Sequence, residues 1–280
     1  MIVLQNEDFY VKIDLKGGQI ARMKHEISGR EYIFEADPQY WAYSTPTLFP
    51  IIGSSHDKKY HFGKQVTTME NHGFLRQAHF LNTYTYDNEV VLTFSANEET
   101  LKQYPFYFKI NLSYKLIGNK IKVEYDIIND GVVDMPFNFG LHPAFNLPLS
   151  KDKKFEDYKL TFSSAEVLKG HGPMVNAGLV KEIPLSYDLF EEYPTWVYHN
   201  VSSAKVGYSD GEHGVNVSVV GFPIVAVWTN AAKQAPFICI EPWLGVGHKT
   251  DKDLEFEQRD AVMNIKPETS FKVSYTIEVF

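Results

Sequence analysis

The chain reads as an all-β protein, a large antiparallel β-sandwich or barrel, on three observations. Apolar residues recur with a period of two through most of its 280 residues, the spacing that turns one face of a strand toward a core. Turn-forming pairs separate these runs: Gly17-Gly18, Asp87-Asn88 and Gly118-Asn119. Each suits a tight hairpin, because Gly, Asn and Asp tolerate positive φ. Helical patterning is confined to residues 97–104, closed by Pro105.

Residues 9–15 alternate and stop at Gly17-Gly18, after which 20–23 resume. Residues 78–86 and 89–96 flank Asp87-Asn88, and 106–117 and 120–129 flank Gly118-Asn119, the strongest hairpin signal in the chain. Residues 158–162, 204–208, 215–220, 224–228, 237–241 and 271–280 continue the pattern. Residues 150–155, bearing Lys151, Asp152, Lys153 and Lys154, read as a charged surface loop, and 171–184 as a second loop-rich passage. Neither marks a boundary, and with no internal repeat the expectation is one domain over residues 1–280.

Composition narrows the function. At 44% hydrophobic and 15% aromatic, the chain can fill a large core. The net charge, 27 − 35 = −8, disfavours nucleic acid and strongly anionic membranes as partners. No apolar run reaches membrane-spanning length, and Met1-Ile2-Val3-Leu4-Gln5 lacks the basic start and long apolar stretch of a secretory signal. The lone Cys239 excludes an intrachain disulfide and fits the cytoplasm. Aromatic faces suit sugar rings, although they also suit β cores. The expectation is a cytoplasmic monomer or homodimer whose partner is a small-molecule sugar.

Three segments carry candidate chemistry. In Asn71-His72-Gly73-Phe74-Leu75-Arg76, glycine lets backbone approach a ligand, and an arginine can fork onto an oxygen-rich one. In Asn138-Phe139-Gly140-Leu141-His142-Pro143-Ala144-Phe145-Asn146, an apolar strand delivers a histidine. Pro143 has no N–H for a ladder, so the chain is expected to leave the sheet after His142. In Cys239-Ile240-Glu241-Pro242-Trp243-Leu244-Gly245, another apolar strand delivers a carboxylate, with Pro242 expected to stop that strand and Trp243 to supply a platform. An imidazole and a carboxylate at strand ends suit proton transfer to a small polar ligand. Cys239 shares a strand face with Glu241 and reads as a small buried hydrophobe. No HExxH, GxGxxG or GxSxG pattern occurs, so neither a metal nor a cofactor is expected.

The segments NHGFLR, FGLHPAFN and CIEPWLG, with TLFPIIG at 47–53, resemble the aldose 1-epimerase (galactose mutarotase-like) family, and its LacX-type branch in particular. The resemblance runs in order over nearly the whole chain. It implies a β-supersandwich and a cofactor-free, metal-free site that interconverts the α and β anomers of a free aldose. It implies that His142 is the general acid toward the ring oxygen and Glu241 the base toward the anomeric hydroxyl. His72 matches an assisting histidine and Asp188 a substrate-binding aspartate. Arg76 fits the arginine of the HGF-x-R form, and Trp228 and Trp243 match sugar platforms. Two departures stand out. Ser54 occupies a position where many relatives carry an arginine, which weighs against a sugar phosphate unless Arg76, Lys58 or Lys249 supplies the cation. Gly245-Val246-Gly247-His248-Lys249 also departs from a Gly-x-x-Asp ending, and His248 there either contacts substrate or faces water.

Proton removal from O1 concerted with delivery to the ring oxygen needs one base and one acid, expected as ionised Glu241 beside protonated His142. Competing expectations are a non-catalytic carbohydrate-binding or regulatory protein, a hexose-6-phosphate 1-epimerase, and a glycoside hydrolase. The last of these normally needs a second placed carboxylate.

Overall fold

In the computed structural model, which describes residues 1–55, 57–247 and 254–280, the Gly118-Asn119 turn joins two ten-residue strands, Phe108–Ile117 and Lys120–Asn129. They pair from Lys120 opposite Ile117 to Asn129 opposite Phe108. Phe108, Ile110, Leu112, Tyr114 and Leu116 are buried, as are Ile121, Val123, Tyr125 and Ile127, so the period-two pattern does point one face inward. The Asp87-Asn88 turn likewise joins Leu81–Tyr86 to Glu89–Ser95.

Among the described residues these hairpins form the centre and one edge of a nine-stranded antiparallel sheet. Its order is Leu179–Pro184, Lys159–Val167, Lys205–Ser209, Gly214–Ser218, Ser270–Val279, Lys120–Asn129, Phe108–Ile117, Glu89–Ser95, Leu81–Tyr86. A seven-stranded antiparallel sheet includes Trp196–His199, Ile224–Trp228, Phe237–Leu244, Phe139–Leu141 and Thr47–Leu48, with Ala144–Asn146 also on the Phe237–Leu244 strand. The main core lies between the two sheets and draws on Ile110, Leu112 and Ile127 from one, and Val225, Val227, Ile238 and Ile240 from the other. Tyr125 and Thr47 share a buried hydroxyl–hydroxyl hydrogen bond of 2.6 Å across it, and Tyr125 meets Phe139 edge-on at 4.9 Å. Among the described residues, no helix is long and apolar enough to cross a membrane.

The structure departs from the expected elements in several places. The helix closed by Pro105 is Glu98–Gln103, capped by Asn97, whose side chain accepts the Glu99 and Thr100 N–H groups. A second helix, Tyr187–Glu192, is capped by Ser186; its serine cap and acidic first turn were the available signal. The passage 171–184 contains the edge strand Leu179–Pro184. Leu81–Tyr86 starts three residues later than expected, and all six of its residues are exposed, because it is the outer strand on the opposite edge.

Pro143 does take the chain out of the sheet, but only briefly, and Pro242 does not stop its strand. Phe237–Leu244 runs straight through Pro242, which pairs opposite Val225. The strand with Pro143 is interrupted only for His142 and Pro143: Phe139 and Gly140 pair with Leu244 and Trp243, and Ala144–Asn146 return to pair with Cys239, Ile238 and Phe237. The Ile240 N–H points to this side, reaching the Pro143 carbonyl at 3.4 Å. Since N–H groups alternate between the two sides of a strand, Pro242 presents its donorless nitrogen to the gap at His142-Pro143. Both prolines share one break in the ladder.

Candidate active site

Strand alternation decides which side chains meet. On Phe237–Leu244, Ile238 and Ile240 enter the main core, so Cys239, Glu241 and Trp243 face the other way. Their partners across the register are Trp228, Ala226 and Ile224. On this outer face two small apolar clusters flank Glu241: Phe34, Ala144, Ala235, Phe237 and Cys239 on one side, Leu48, Ile52, Ile224, Ala226 and Trp243 on the other. The methyl of Ala226 opposite Glu241 leaves the carboxylate open to the space above the sheet. Gly140 serves the same face, because a Cβ there would lie 2.8 Å from the Trp243 ring.

The ladder gap aims His142 at Glu241. The His142 N–H is held by the Pro46 carbonyl at 3.1 Å, and its Nε2 lies 3.2 Å from Glu241 Oε2. Around the imidazole stand Trp41, stacked at 4.6 Å, with Trp228 and His72 edge-on at 5.6 and 5.5 Å.

The segment at 47–53 acts as the seat for the one at 71–76. His72 donates its N–H to the Gly53 carbonyl at 2.7 Å, and its Nδ1 accepts the Gly53 N–H at 3.0 Å. Nδ1 is therefore an acceptor and the neutral ring carries its proton on Nε2. His72 has φ 67° and Gly73 φ 72°; a Cβ on Gly73 would lie 2.2 Å from the Phe49 carbonyl oxygen. Glycine is thus required for the chain to pass this close. Arg76 donates to the Asn71 carbonyl at 2.6 Å and lies 4.7 Å over the Tyr43 ring, and burial lowers its pKa.

Trp41, Asn71, His72, Arg76, His142, Thr195, Trp228, Glu241 and Trp243 line one cavity of about 290 Å³. Another hollow is larger, about 540 Å³ beside Phe62, Pro105 and Phe256, but no fully buried acid and base face each other among its lining residues. The cavity thus gathers the expected His142, Glu241, His72, Arg76, Trp228 and Trp243. Asp188 is not among them: it lies exposed in the first turn of the Tyr187–Glu192 helix, and Thr195, just beyond that helix, lines the cavity instead. Trp41 and Thr195 were not singled out from the sequence. A lone tryptophan in the strandless stretch Asp37-Pro38-Gln39-Tyr40-Trp41 was the one available signal, since aromatic residues on loops often serve binding. Lys58 is engaged with Glu70 at 2.8 Å, and the Ser54 hydroxyl donates to the Ser55 carbonyl at 2.8 Å. His248 and Lys249 lie outside the described residues.

Burial governs the charges. It pushes the Glu241 carboxyl well up. It also pushes His142 well down, aided by His72, and brings His72 to about 4. At 3.2 Å an ion pair gains ~5 kcal/mol at an effective dielectric of about 20, while desolvation costs several kcal/mol for each ion. Neither Glu241 oxygen, nor His142 Nδ1, nor Trp243 Nε1 has a hydrogen-bond partner to offset that loss. Burial therefore favours a neutral carboxyl beside a neutral imidazole, in place of the expected ionised carboxylate and imidazolium. Cys239 lies beneath, outside the cavity lining, its thiol pushed well up by burial and by Glu241. One ligand atom each from His142, Cys239 and Glu241 lies within 4.8 Å of the other two.

The aldose 1-epimerase family model matches residues 1–201. The chain belongs to the aldose 1-epimerase family. That match includes His72 and His142, while Glu241 lies beyond it. Two full-length relatives reach further: the chromosomal and plasmid LacX proteins of Lactococcus lactis are each 30% identical to the chain, over 302 and 298 residues, covering 99% of both partners. Among solved structures, a galactose mutarotase-like protein from Lactobacillus casei superposes with a TM-score of 0.91 at 28% identity, covering both chains in full. A galactose mutarotase related enzyme from Lactobacillus acidophilus gives 0.90 at 27%, covering 100% of this chain and 97% of that one. The expected supersandwich and the LacX-type branch are thus both found.

Proposed function

We propose that the protein is an aldose 1-epimerase that interconverts the α and β anomers of a free hexose. The observation that carries this reading is the buried contact between His142 Nε2 and Glu241 Oε2, 3.2 Å apart and facing a cavity walled by tryptophans and Arg76. A hemiacetal opens when its anomeric hydroxyl loses a proton as its ring oxygen gains one, and closes by the reverse. A pair holding a single mobile proton matches this demand, since each turnover returns it to its starting state. Sugar hydroxyls entering the cavity supply the hydrogen bonds that Glu241 lacks, which favours passing the carboxyl proton to His142. Glu241 then takes the proton from O1 while His142 gives one to the ring oxygen. After rotation about C1–C2 the roles reverse.

His72, with Nε2–H directed away from Gly53, and Arg76 donate to ring-side oxygens, and the tryptophans flank the ring faces. Arg76 is the single cationic side chain on the cavity among the described residues, which favours an uncharged hexose over its 6-phosphate. The test is anomer exchange by NMR across galactose, glucose and their 6-phosphates, with His142→Asn as control. Acceleration that disappears in the variant is expected. Tight sugar binding without acceleration would make the protein a carbohydrate-binding module, and acceleration with the phosphates alone would reverse the choice of substrate.

A further inference from the structure

We propose that His142, Cys239 and Glu241 form a binding site for a thiophilic divalent cation of the zinc class, and that the cation silences the site by occupying its acid and its base. The geometry carries this. The three ligand atoms lie within 4.8 Å of one another, and all three residues are buried. Glu241 is 1% exposed, and neither of its oxygens has a hydrogen-bond partner. Cys239 and Glu241 stand two apart on one strand, so they project from the same face, and the ladder gap at His142-Pro143 brings the imidazole to that face from the neighbouring chain segment.

The donor set selects the ion. One sulfur, one imidazole nitrogen and one carboxylate oxygen are the ligand types zinc takes, and three protein ligands leave a fourth position open to the cavity. Calcium and magnesium call for oxygen ligands throughout, and a thiol does not suit them. Bonds of about 2.0–2.3 Å require the widest separation to shorten. Glu241 can adjust its share of that geometry, because no hydrogen bond holds its carboxylate.

Charge also balances. One thiolate and one carboxylate carry two negative charges against the two positive charges of a divalent ion, while His142 binds as neutral imidazole. The buried site stays neutral, which a low-dielectric pocket favours. Silencing rests on the proposed epimerase activity; binding does not.

The test is titration of the metal-stripped full chain with cobalt(II), a spectroscopic stand-in for zinc. Cys239 is the sole cysteine, so any thiolate-to-cobalt band in the near ultraviolet reports this residue, whatever the exposed histidines bind. One equivalent should develop the band. Cys239→Ala and Cys239→Ser, each verified as folded by circular dichroism, should abolish it, and Glu241→Gln should weaken cobalt binding by about tenfold or more. Zinc should then suppress anomer exchange in the wild type and spare Cys239→Ala. Absence of the band in the wild type, or its persistence at full affinity in Glu241→Gln, overturns the proposal. Loss of anomer exchange alone does not bear on it, because the band is read without substrate.

Discussion

Glutamine at position 241 keeps the shape of glutamate and removes its exchangeable proton, so Glu241→Gln should lose activity and gain stability. Loss of a placed acid–base group lowers rates by ~10²–10⁴, which corresponds to ~2.7–5.5 kcal/mol in barrier height. The stability gain depends on pH. In the folded site Glu241 and His142 together hold one proton, since burial raises the carboxyl and lowers the imidazole; the count is one whichever atom carries it. Unfolded, the carboxyl titrates near 4.5 and the imidazole near 6.5. Between those values both states hold one proton and the pair adds no slope. Above pH 6.5 the unfolded pair holds none while the folded pair keeps its proton, so folding stability falls by about 1.4 kcal/mol per pH unit. This fall continues until the folded pair ionises. Glutamine abolishes it. The stability difference between variant and wild type should therefore widen by about 1.4 kcal/mol per unit above pH 6.5. Urea unfolding of both proteins at half-unit steps from pH 6.5, beside anomer exchange on the same samples, reads both effects. Parallel stability profiles would refute the retained-proton argument, and wild-type rates in the variant would remove Glu241 from the chemistry.

Three further substitutions probe the same cavity. His72, lowered from 6.5 to about 4 by burial, contributes stability that is full above pH 6.5 and lost as pH falls toward 4, about 3.4 kcal/mol in all. Asparagine tolerates the positive φ and keeps an oxygen for the Gly53 N–H, so His72→Asn should lack that acid-side loss; equal pH slopes in urea unfolding would refute this. Gly73→Ala sets a Cβ 2.2 Å from the Phe49 carbonyl oxygen at φ 72°. It should cost about 1–3 kcal/mol or more and weaken sugar binding through His72, measured by thermal melting and by NMR titration; an unshifted melting point would contradict the close approach. Trp41→Leu removes the ring stacked on His142. Water should then reach the imidazole and raise its pKa toward 6.5, seen by NMR titration of the histidine, while an unmoved titration would show that the stack does not keep water out.

Much of the fold was legible because a strand with one buried face writes itself as alternation, and because Gly118-Asn119 and Asp87-Asn88 name their own turns. The chemical residues were also legible: an imidazole and a carboxylate each next to a proline are unusual in apolar strands. What those prolines do was not, because it depends on two segments, with prolines 99 residues apart, sharing one break. Taken alone, Pro242 reads as a stop; opposite the His142-Pro143 gap it leaves no donor unpaired, and Phe237–Leu244 continues to carry Trp243 into the cavity. The protonation of the pair was hidden for the same reason. Proximity suggests an ion pair, and only the apolar clusters on both sides of Glu241, together with its unpartnered oxygens, show that desolvation wins. Asp188 makes the converse case: its segment does approach the site, but the helix begun by Ser186 turns the aspartate to solvent and leaves Thr195 to line the wall. Strand periodicity thus assigns a side chain to a face, while the choice of which faces meet belongs to the ladder break and the loops.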